Sequence, residues 1–482
     1  MWLILACGQS LHKLCRMTNP DQLRAATDRP NIILINCDDL GYGDVGCYGS
    51  TVHSTPHLDR MAAEGMRLTD FYMASSVCSP SRGALMTGCY PQRIGLGTGD
   101  DGKVVLFPGD AVGLNPDEIT IASLLKGQGY ATQLVGKWHL GDQPEFLPTR
   151  HGFDHYYGLP YSNDMGRQAG REDRWPPLPL LRDEEVIQAQ PDQEGLTERY
   201  VEEAVRFVRG HAHEPFFLYL AHMHVHLPLY AASRFMEQSR NGRYGACVEA
   251  IDWSVGVLLG ELQALGLDDN TILLFTSDNG ARTHEGGSNY PLRGTKASMW
   301  EGGMRLPLIA RWPGQIAAGS TCSELTTSMD LLPTLARLAG TQEPQDRTID
   351  GRDIAPLWRG ESGASSPHEA FYYYWKDSLH AVRVGQWKLH VRLDRDDEEA
   401  TELYDLHADV GESKNVAEQH ADVVARLRAV ADQAKADLGC EASGVEGTGR
   451  RPCGRVQDPQ RLTEYDPDHP YIIALYDLTE TG

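Results

Sequence analysis

The sequence predicts an α/β protein: a large, mostly parallel β-sheet sandwiched by helices, followed by a smaller C-terminal α+β domain with an antiparallel sheet. Three observations carry this expectation. Apolar, β-branched runs alternate with amphipathic helical segments, the pattern of a parallel sheet covered on both faces. Polar clusters stand directly after at least four predicted strands, where ligands bind in such sheets. After about residue 362 the pattern changes to short strands joined by turns, then one long amphipathic helix.

In order, the run Asn31 to Asn36 within "RPNIILINCDDLGYGD" reads as a buried strand followed by a glycine-rich acidic loop. "STPHLDRMAAEGMRLTDFY" reads as a capped helix leading into a strand. "TIASLLKGQGYATQLVGKWHLG" repeats the theme of helix, glycine turn, strand and polar loop. "YVEEAVRFVRGHAHEPFFLYLAHMHVH" does so again, with its strand at Phe216 to Ala221. "DWSVGVLLGELQALGLDDNTILLFTSDNG" is the clearest case, with a strand at Thr271 to Thr276. "ESGASSPHE" reads as a linker, "AFYYYWKD", "HAVRVGQWKLHV" and "ELYDL" as short strands, and "HADVVARLRAVADQAKADLG" as the long helix. The expected organisation is a leader over residues 1–28, a main domain over 29–362, an α+β subdomain over 363–440 and an irregular tail over 441–482.

A chain of 482 residues exceeds one ordinary core, so two domains are expected. Its 67 Asp+Glu against 44 Lys+Arg give a formal charge of -23, which argues against nucleic acid or an anionic membrane as partner. An anionic small substrate stays open, because a local cationic pocket outweighs a distant acidic surface. No stretch reaches the length of a membrane span. The N-terminal "MWLILACGQSLHKLCRM" has its basic residues after a short apolar run, the reverse of a usual signal peptide. None of the 10 cysteines forms a C-x-x-C pair, so zinc-ribbon and thioredoxin-like readings lack support. Cys440 and Cys453 bracket a glycine-rich segment and read equally as a bridge or as two thiols.

Adjacent acidic residues after a buried strand repel one another unless a cation compensates. Asp38-Asp39 and Asp278-Asn279 offer oxygen ligands alone, which favours a hard cation, Ca2+ or Mg2+, over zinc. One such pair also reads as a turn that caps a strand end; two at matching places favour a metal. Lys137 and His139 alternate in "GKWHLG", so at strand spacing they face the same way and suit an anionic ester. Taken alone that segment reads as a solvated loop. In "HMHVH", His222, His224 and His226 share one face, a pattern that also suits a transition metal. His226 precedes "LP", where the chain leaves the strand, so it is expected to reach the crevice alone. Lys296 lies in a glycine-flanked loop, "PLRGTKASMWEGG". The stretch "SSVCSPSRGALMTG" has neither a local histidine partner for Cys78 nor the G-x-S-x-G of a serine nucleophile. Pro80 and Ser81 read as helix entry, which puts Cys78 near a helix N-terminus.

On these residues the chain resembles the type I sulfatases, of the arylsulfatase A and N-acetylgalactosamine-6-sulfatase kind. "CSPSRGALMTG" matches the signature C-x-P-S-R with its following L-x-T-G. "DDLGYGD", "GKWHLG", "TSDNG", "RGTKASMWEGGMRLPLIARWPG", "SMDLLPTLARLAG" and "ELYDLHADVGESKNVA" extend the likeness from about Asn31 to about Ala417. The resemblance implies an alkaline-phosphatase-like fold and a sulfuric ester hydrolase. It implies that a formylglycine-generating enzyme converts Cys78 to Cα-formylglycine, whose hydrate attacks the sulfate sulfur to give a covalent sulfo-enzyme intermediate. Asp38, Asp39, Asp278, Asn279 and residue 78 would hold one Ca2+, with Mg2+ the weaker alternative. Arg82 would hold the hydrate and Lys137 would bridge it to the sulfate. His139 would take a proton from the second hydroxyl. His226, with His222 and then His224 as alternatives, and Lys296 would bind sulfate and protonate the leaving alcohol. The implied substrate is a sulfated small molecule or glycan. The implied location is periplasmic, extracellular or lysosomal, against a poor leader that keeps the cytoplasm as an alternative. Two other readings stand beside this one: a phosphonate or phosphate ester hydrolase of the same superfamily, and an unmatured, inactive glycan-binding homologue.

Overall fold

The computed structural model describes residues 29–168, 174–393 and 398–468, so the leader, part of the loop between Tyr161 and Gln193 and the last residues lie outside the described residues. In chain order the strands are β1 (Asn31–Cys37), β2 (Met66–Tyr72), β3 (Val112–Gly113), β4 (Ala131–Gly136), β5 (His155–Gly158), β6 (Pro179–Arg182), β7 (Glu185–Ala189), β8 (Phe216–Ala221), β9 (Thr271–Ser277), β10 (Arg305–Arg311), β11 (Ser320–Cys322), β12 (Thr326–Thr327), β13 (Phe371–Trp375), β14 (Ser378–Val384), β15 (Trp387–Leu393), β16 (Glu398–Asp405) and β17 (Gly454–Arg455).

One large sheet runs β11-β2-β10-β9-β1-β8-β4-β5-β6-β7, with β12 paired to β2. Its centre, from β9 through β1, β8 and β4 to β5, is parallel. The flanks turn antiparallel, through β10 against both β9 and β2 and through the β5-β6-β7 meander. Central strands are buried on both faces, which is why Asn31–Cys37 reads apolar throughout. Alternate residues still divide between two cores. Ile33, Ile35, Leu218 and Leu220 pack under the helices Leu196–Gly210 and Gly242–Leu265. Ile32, Leu34, Phe217 and Tyr219 pack on the other face with Leu85 and Met86 of the helix Cys78–Thr87 and Leu335 of the helix Leu331–Leu338.

The helix Pro56–Glu64 forms where predicted, but its cap is not local: Thr55 makes no side-chain cap bond. Asp252, from the helix Gly242–Leu265, accepts the backbone N–H groups of His57 (3.0 Å) and Leu58 (2.8 Å) instead. Orphan N–H groups at a helix start need an acceptor, and here a distant carboxylate supplies it.

The C-terminal sheet is antiparallel in the order β13-β14-β15-β16. The helix Ala421–Leu438 covers it through Leu427, Ala431, Ala434 and Leu438, in a core shared with Tyr72, Met299 and Met304 of the main domain. The described residues beyond Cys440 are mostly irregular, but β17 pairs with β3 and Arg451 binds Glu118 at 2.7 Å. Cys440 and Cys453 are not bridged to each other. Among the described residues no helix is long and apolar enough to cross a membrane.

Candidate active site

The parallel strands end in one crevice, and the predicted polar residues converge there. Asp38 and Asp39 follow β1, Asp278 and Asn279 follow β9, Lys137 follows β4, and His222 follows β8. Cys78 opens the helix Cys78–Thr87, with Arg82 one turn on. Ligand atoms of Asp38, Asp39, Cys78 and His226 lie within 4.8 Å of one another.

Cys78 Sγ stands 3.3 Å from Asp38 Oδ1 and 3.6 Å from Lys296 Nζ. Burial, and then the charge of Asp38, push its thiol well above its ordinary pKa. Such a thiol does not ionise near neutrality, so the unmodified sulfur is no nucleophile.

Lys137 donates to Asp38 and also to Ser162 Oγ at 3.1 Å. Lys296 stands 2.8 Å from Asp39. Arg82 donates from Nε to Asp278 at 2.8 Å and from Nη1 to the Lys137 carbonyl at 2.8 Å. Its Nη2 is buried and has no hydrogen-bond partner. Burial opposes charge on all three acids, with unequal results. Lys137, then His226 and Arg82, overcome burial at Asp38 and hold it well below the carboxylate range. Burial wins at Asp39, which is raised. Asp278 is pushed up to about 6 by burial and then by the charge of Asp38.

This donor set fits a hard cation. Asn279 donates its amide to Asp39 at 2.6 Å, which points its Oδ1 elsewhere, and that oxygen is buried without a partner. Three crowded carboxylates and an orphaned amide oxygen are the surroundings that oxygen-ligated calcium relieves.

Lys137 and His139 do not alternate on a strand, contrary to their predicted spacing. Strand β4 stops at Gly136, at φ 114°, where a Cβ would lie 1.8 Å from the Ala221 carbonyl oxygen. The chain then turns irregularly. His139 adopts φ 63° and Asp39 φ 62°, left-handed conformations rare outside glycine that cluster at functional sites. His139 Nε2 donates to the Leu106 carbonyl at 2.9 Å, which leaves Nδ1 as the bare nitrogen; it is buried without a partner. Burial, then Lys137, push this ring well below the usual histidine range, so it is neutral and basic at Nδ1.

The three histidines of "HMHVH" separate. His222 pairs with Ser254 at 3.0 Å, away from the cluster. His224 is buried and neither ring nitrogen has a hydrogen-bond partner. His226 Nε2 comes 4.0 Å from Asp39, and its Nδ1 donates to the Leu227 carbonyl at 2.6 Å. Burial and then Lys296 push His226 down to about 3.

Comparison with known proteins now decides the family. The family model described as Sulfatase matches residues 30–341. The chain belongs to the sulfatase family. A second model, N-sulphoglucosamine sulphohydrolase, C-terminal, matches residues 295–437 of this sulfatase chain. The chain is 43% identical over 382 residues to N-acetylgalactosamine-6-sulfatase of Canis lupus familiaris, covering 76% of this chain and 72% of that one. It is 43% identical over 390 residues to arylsulfatase A of Bos taurus, covering 76% and 75%. Its fold resembles the crystal structure of Ps i-CgsB in complex with k-i-k-neocarrahexaose, with a TM-score of 0.76, 32% identity and coverage of 87% of this chain and 95% of that one.

Sequence reasoning missed Ser162, whose hydroxyl accepts from Lys137 and lies 3.4 Å from the ring nitrogens of His226. It sits in a loop without a motif, so no local signal marks it. Lys388, Glu301 and Glu412 were missed as well. They form a buried cluster behind the Lys296 loop, and only tertiary contact brings them together.

Proposed function

We propose that this protein hydrolyses a sulfate monoester, an aryl sulfate or a sulfated sugar, with residue 78 as nucleophile after oxidation of Cys78 to formylglycine. The observation that carries this reading is the state of Cys78: a fully buried thiol that does not ionise, at the head of a helix and within 3.6 Å of Lys296. A position so placed is useless as a thiol and well placed as a hydrated aldehyde.

Calcium held by Asp38, Asp39, Asp278, Asn279 and residue 78 would supply positive charge for the sulfate oxygens. Arg82, whose Nη2 makes no hydrogen bond and only a 3.5 Å ion pair with Asp38, is assigned to the hydrate hydroxyls. Lys137 is assigned to the nucleophile and a sulfate oxygen, with Ser162 steadying its ammonium. Lys296 and His226 are assigned to the leaving side. Asp39, Cys78 and Asp38 outweigh burial at Lys296 and raise its pKa, so it carries the proton in the resting site. His226 is neutral there and gains basicity as the anionic ester arrives. His139, neutral and bare at Nδ1, takes the proton of the second hydroxyl, so that sulfate departs and the aldehyde re-forms. The reading includes maturation by a formylglycine-generating enzyme and export from the cytoplasm.

Mass spectrometry of the tryptic peptide ending at Arg82 tests it, together with assays on aryl sulfate, phosphate and phosphonate. An aldehyde at position 78 and a preference for sulfate are expected. Unmodified thiol throughout protein from the native host, or a preference for phosphonate, overturns the reading.

A further inference from the structure

The loop after β1 and the loop that carries Lys296 touch, and one side chain joins them. Gly41 fits against the second loop because it has no Cβ, which would lie 2.2 Å from the Ser288 carbonyl oxygen. Gly43 donates its N–H to that same carbonyl at 2.8 Å. Asp44 is fully buried and accepts three donors there: the Gly41 N–H at 2.8 Å, the Tyr244 hydroxyl at 2.6 Å and the Ser288 N–H at 2.8 Å. Gly41 and Tyr244 share one carboxylate oxygen, and Ser288 takes the other. The Tyr244 hydroxyl also lies 3.3 Å from the Asp39 carbonyl oxygen.

From Ser288 the connection runs to the lysine. Asn289 is buried; it accepts the Ala281 N–H at 2.9 Å and donates to the carbonyls of Ala281 (3.0 Å) and Gly294 (3.1 Å). Its amide commits its oxygen and both hydrogens, so it pins both ends of the loop. Lys296 donates its backbone N–H to the Ala281 carbonyl at 3.1 Å. Its Nζ then stands 2.8 Å from Asp39 and 3.6 Å from Cys78 Sγ. Asp39 and Lys296 thus lie at the two ends of one chain of contacts that passes through Asp44.

We propose that Asp44 is a positioning residue: it locks the Asp38-Asp39 loop and the Lys296 loop into one unit, and so places Lys296 against residue 78 and the leaving oxygen. The inference rests on the sulfatase reading, in which Lys296 serves the leaving side. A carboxylate suits the place because it accepts on both oxygens and offers no donor. An amide of the same shape carries a donor on one side. Asp44→Asn therefore sets that donor against the N–H of Gly41 or of Ser288, and parts the loops whichever way it turns. A catalytic group misplaced by about 1 Å can cost on the order of a hundredfold in rate.

The test compares matured wild type, Asp44→Asn, Lys296→Ala and the double variant on p-nitrophenyl, phenyl and 4-methylphenyl sulfate. kcat/KM covers the steps up to release of the phenol. Phenol leaves less readily than nitrophenol, so its release leans more on a placed proton donor. Asp44→Asn should raise the kcat/KM ratio of p-nitrophenyl to phenyl sulfate by about tenfold, and Lys296→Ala at least as far. In the Lys296→Ala background, Asp44→Asn should move the ratio no further. A merely structural defect would lower all substrates alike and leave the ratio standing. A ratio unmoved by Asp44→Asn, or moved equally with and without Lys296, overturns the proposal. Should Asp44→Asn fail to fold, Asn289→Ala decides: the same rise supports the proposal and the wild-type ratio overturns it. Lack of turnover of every sulfate by wild type counts instead against the sulfatase reading. Amide hydrogen exchange then decides the joint alone. In Asp44→Asn, exchange over residues 281–296 that quickens more than in the rest of the chain supports it, and wild-type protection there overturns it.

Discussion

Lys388 of the C-terminal sheet donates to Glu301 of the main domain at 3.0 Å, and both side chains are fully buried. The same ammonium stands 2.8 Å from Glu412, whose other carboxylate oxygen accepts the backbone N–H of Glu301 at 2.8 Å. Burial works to raise Glu301, but Lys388, then Arg305 and Arg383, hold it down to about 2. This cluster fixes β15 against the loop that carries Lys296. Lys388→Met leaves two buried carboxylates without their shared cation and should cost about 3–5 kcal/mol of stability. Denaturant unfolding measures it; a loss within experimental error would show that the neighbouring arginines carry the charge.

The oxygen-rich pocket at the ends of β1 and β9 predicts a calcium-dependent stability. Calcium at a hundred times its Kd should stabilise the fold by about 2.7 kcal/mol, and chelation should remove that gain along with activity. Asn279→Ala and Asp278→Ala should shrink the calcium-dependent rise in melting temperature. Full activity and an unmoved melting curve after complete calcium removal would contradict the assignment of these ligands.

The hydrogen bond from His139 to the Leu106 carbonyl fixes Nδ1 as the basic nitrogen. If that nitrogen serves the release of sulfate, His139→Ala should still free one equivalent of alcohol per enzyme, then turn over about 10²–10⁴-fold more slowly. Rapid-quench assays with p-nitrophenyl sulfate read the burst. Its disappearance would place His139 in the first displacement.

Asp252 is pushed up to about 7 by burial, against the Leu58 and His57 N–H groups that favour its charge. The unfolded carboxyl ionises near 3.8. Between those values the folded state keeps a proton that the unfolded state has lost. The stability this carboxyl contributes is therefore complete below about pH 4 and falls as pH rises to about 7, by at most about 1.4 kcal/mol per pH unit. Asp252→Asn cannot ionise, so its stability relative to wild type should improve across that window. Unfolding curves at several pH values would show this, and a difference independent of pH would refute it.

Much of the fold is legible in the sequence because strand burial and helix periodicity are local patterns. Phe216–Ala221 forms as predicted, and β1 and β9 each run one residue further than expected. The antiparallel flanks were not legible, since strand direction depends on how a connection returns. The helix at Pro56 is legible in the sequence but its capping group is not, because Asp252 comes from a helix far along the chain. Lys137 and His139 were found and their spacing misread, because close approach of Gly136 to Ala221 ends the strand before either residue.

By itself, the sequence determined the α/β class, the position of the crevice and the charged residues at the strand ends that face it, because composition and order at strand ends suffice for those, whereas Ser162 came only from the structure. Tertiary structure alone decided the electrical state of the site. Whether a carboxyl is held low, as at Asp38, or pushed up, as at Asp278, depends on which charges share its buried volume. It also decided that Cys78 is a thiol that does not ionise, and that Asp44 joins the loop after β1 to the loop that carries Lys296. Those are facts of distance and desolvation, and neither is written in the order of residues along the chain.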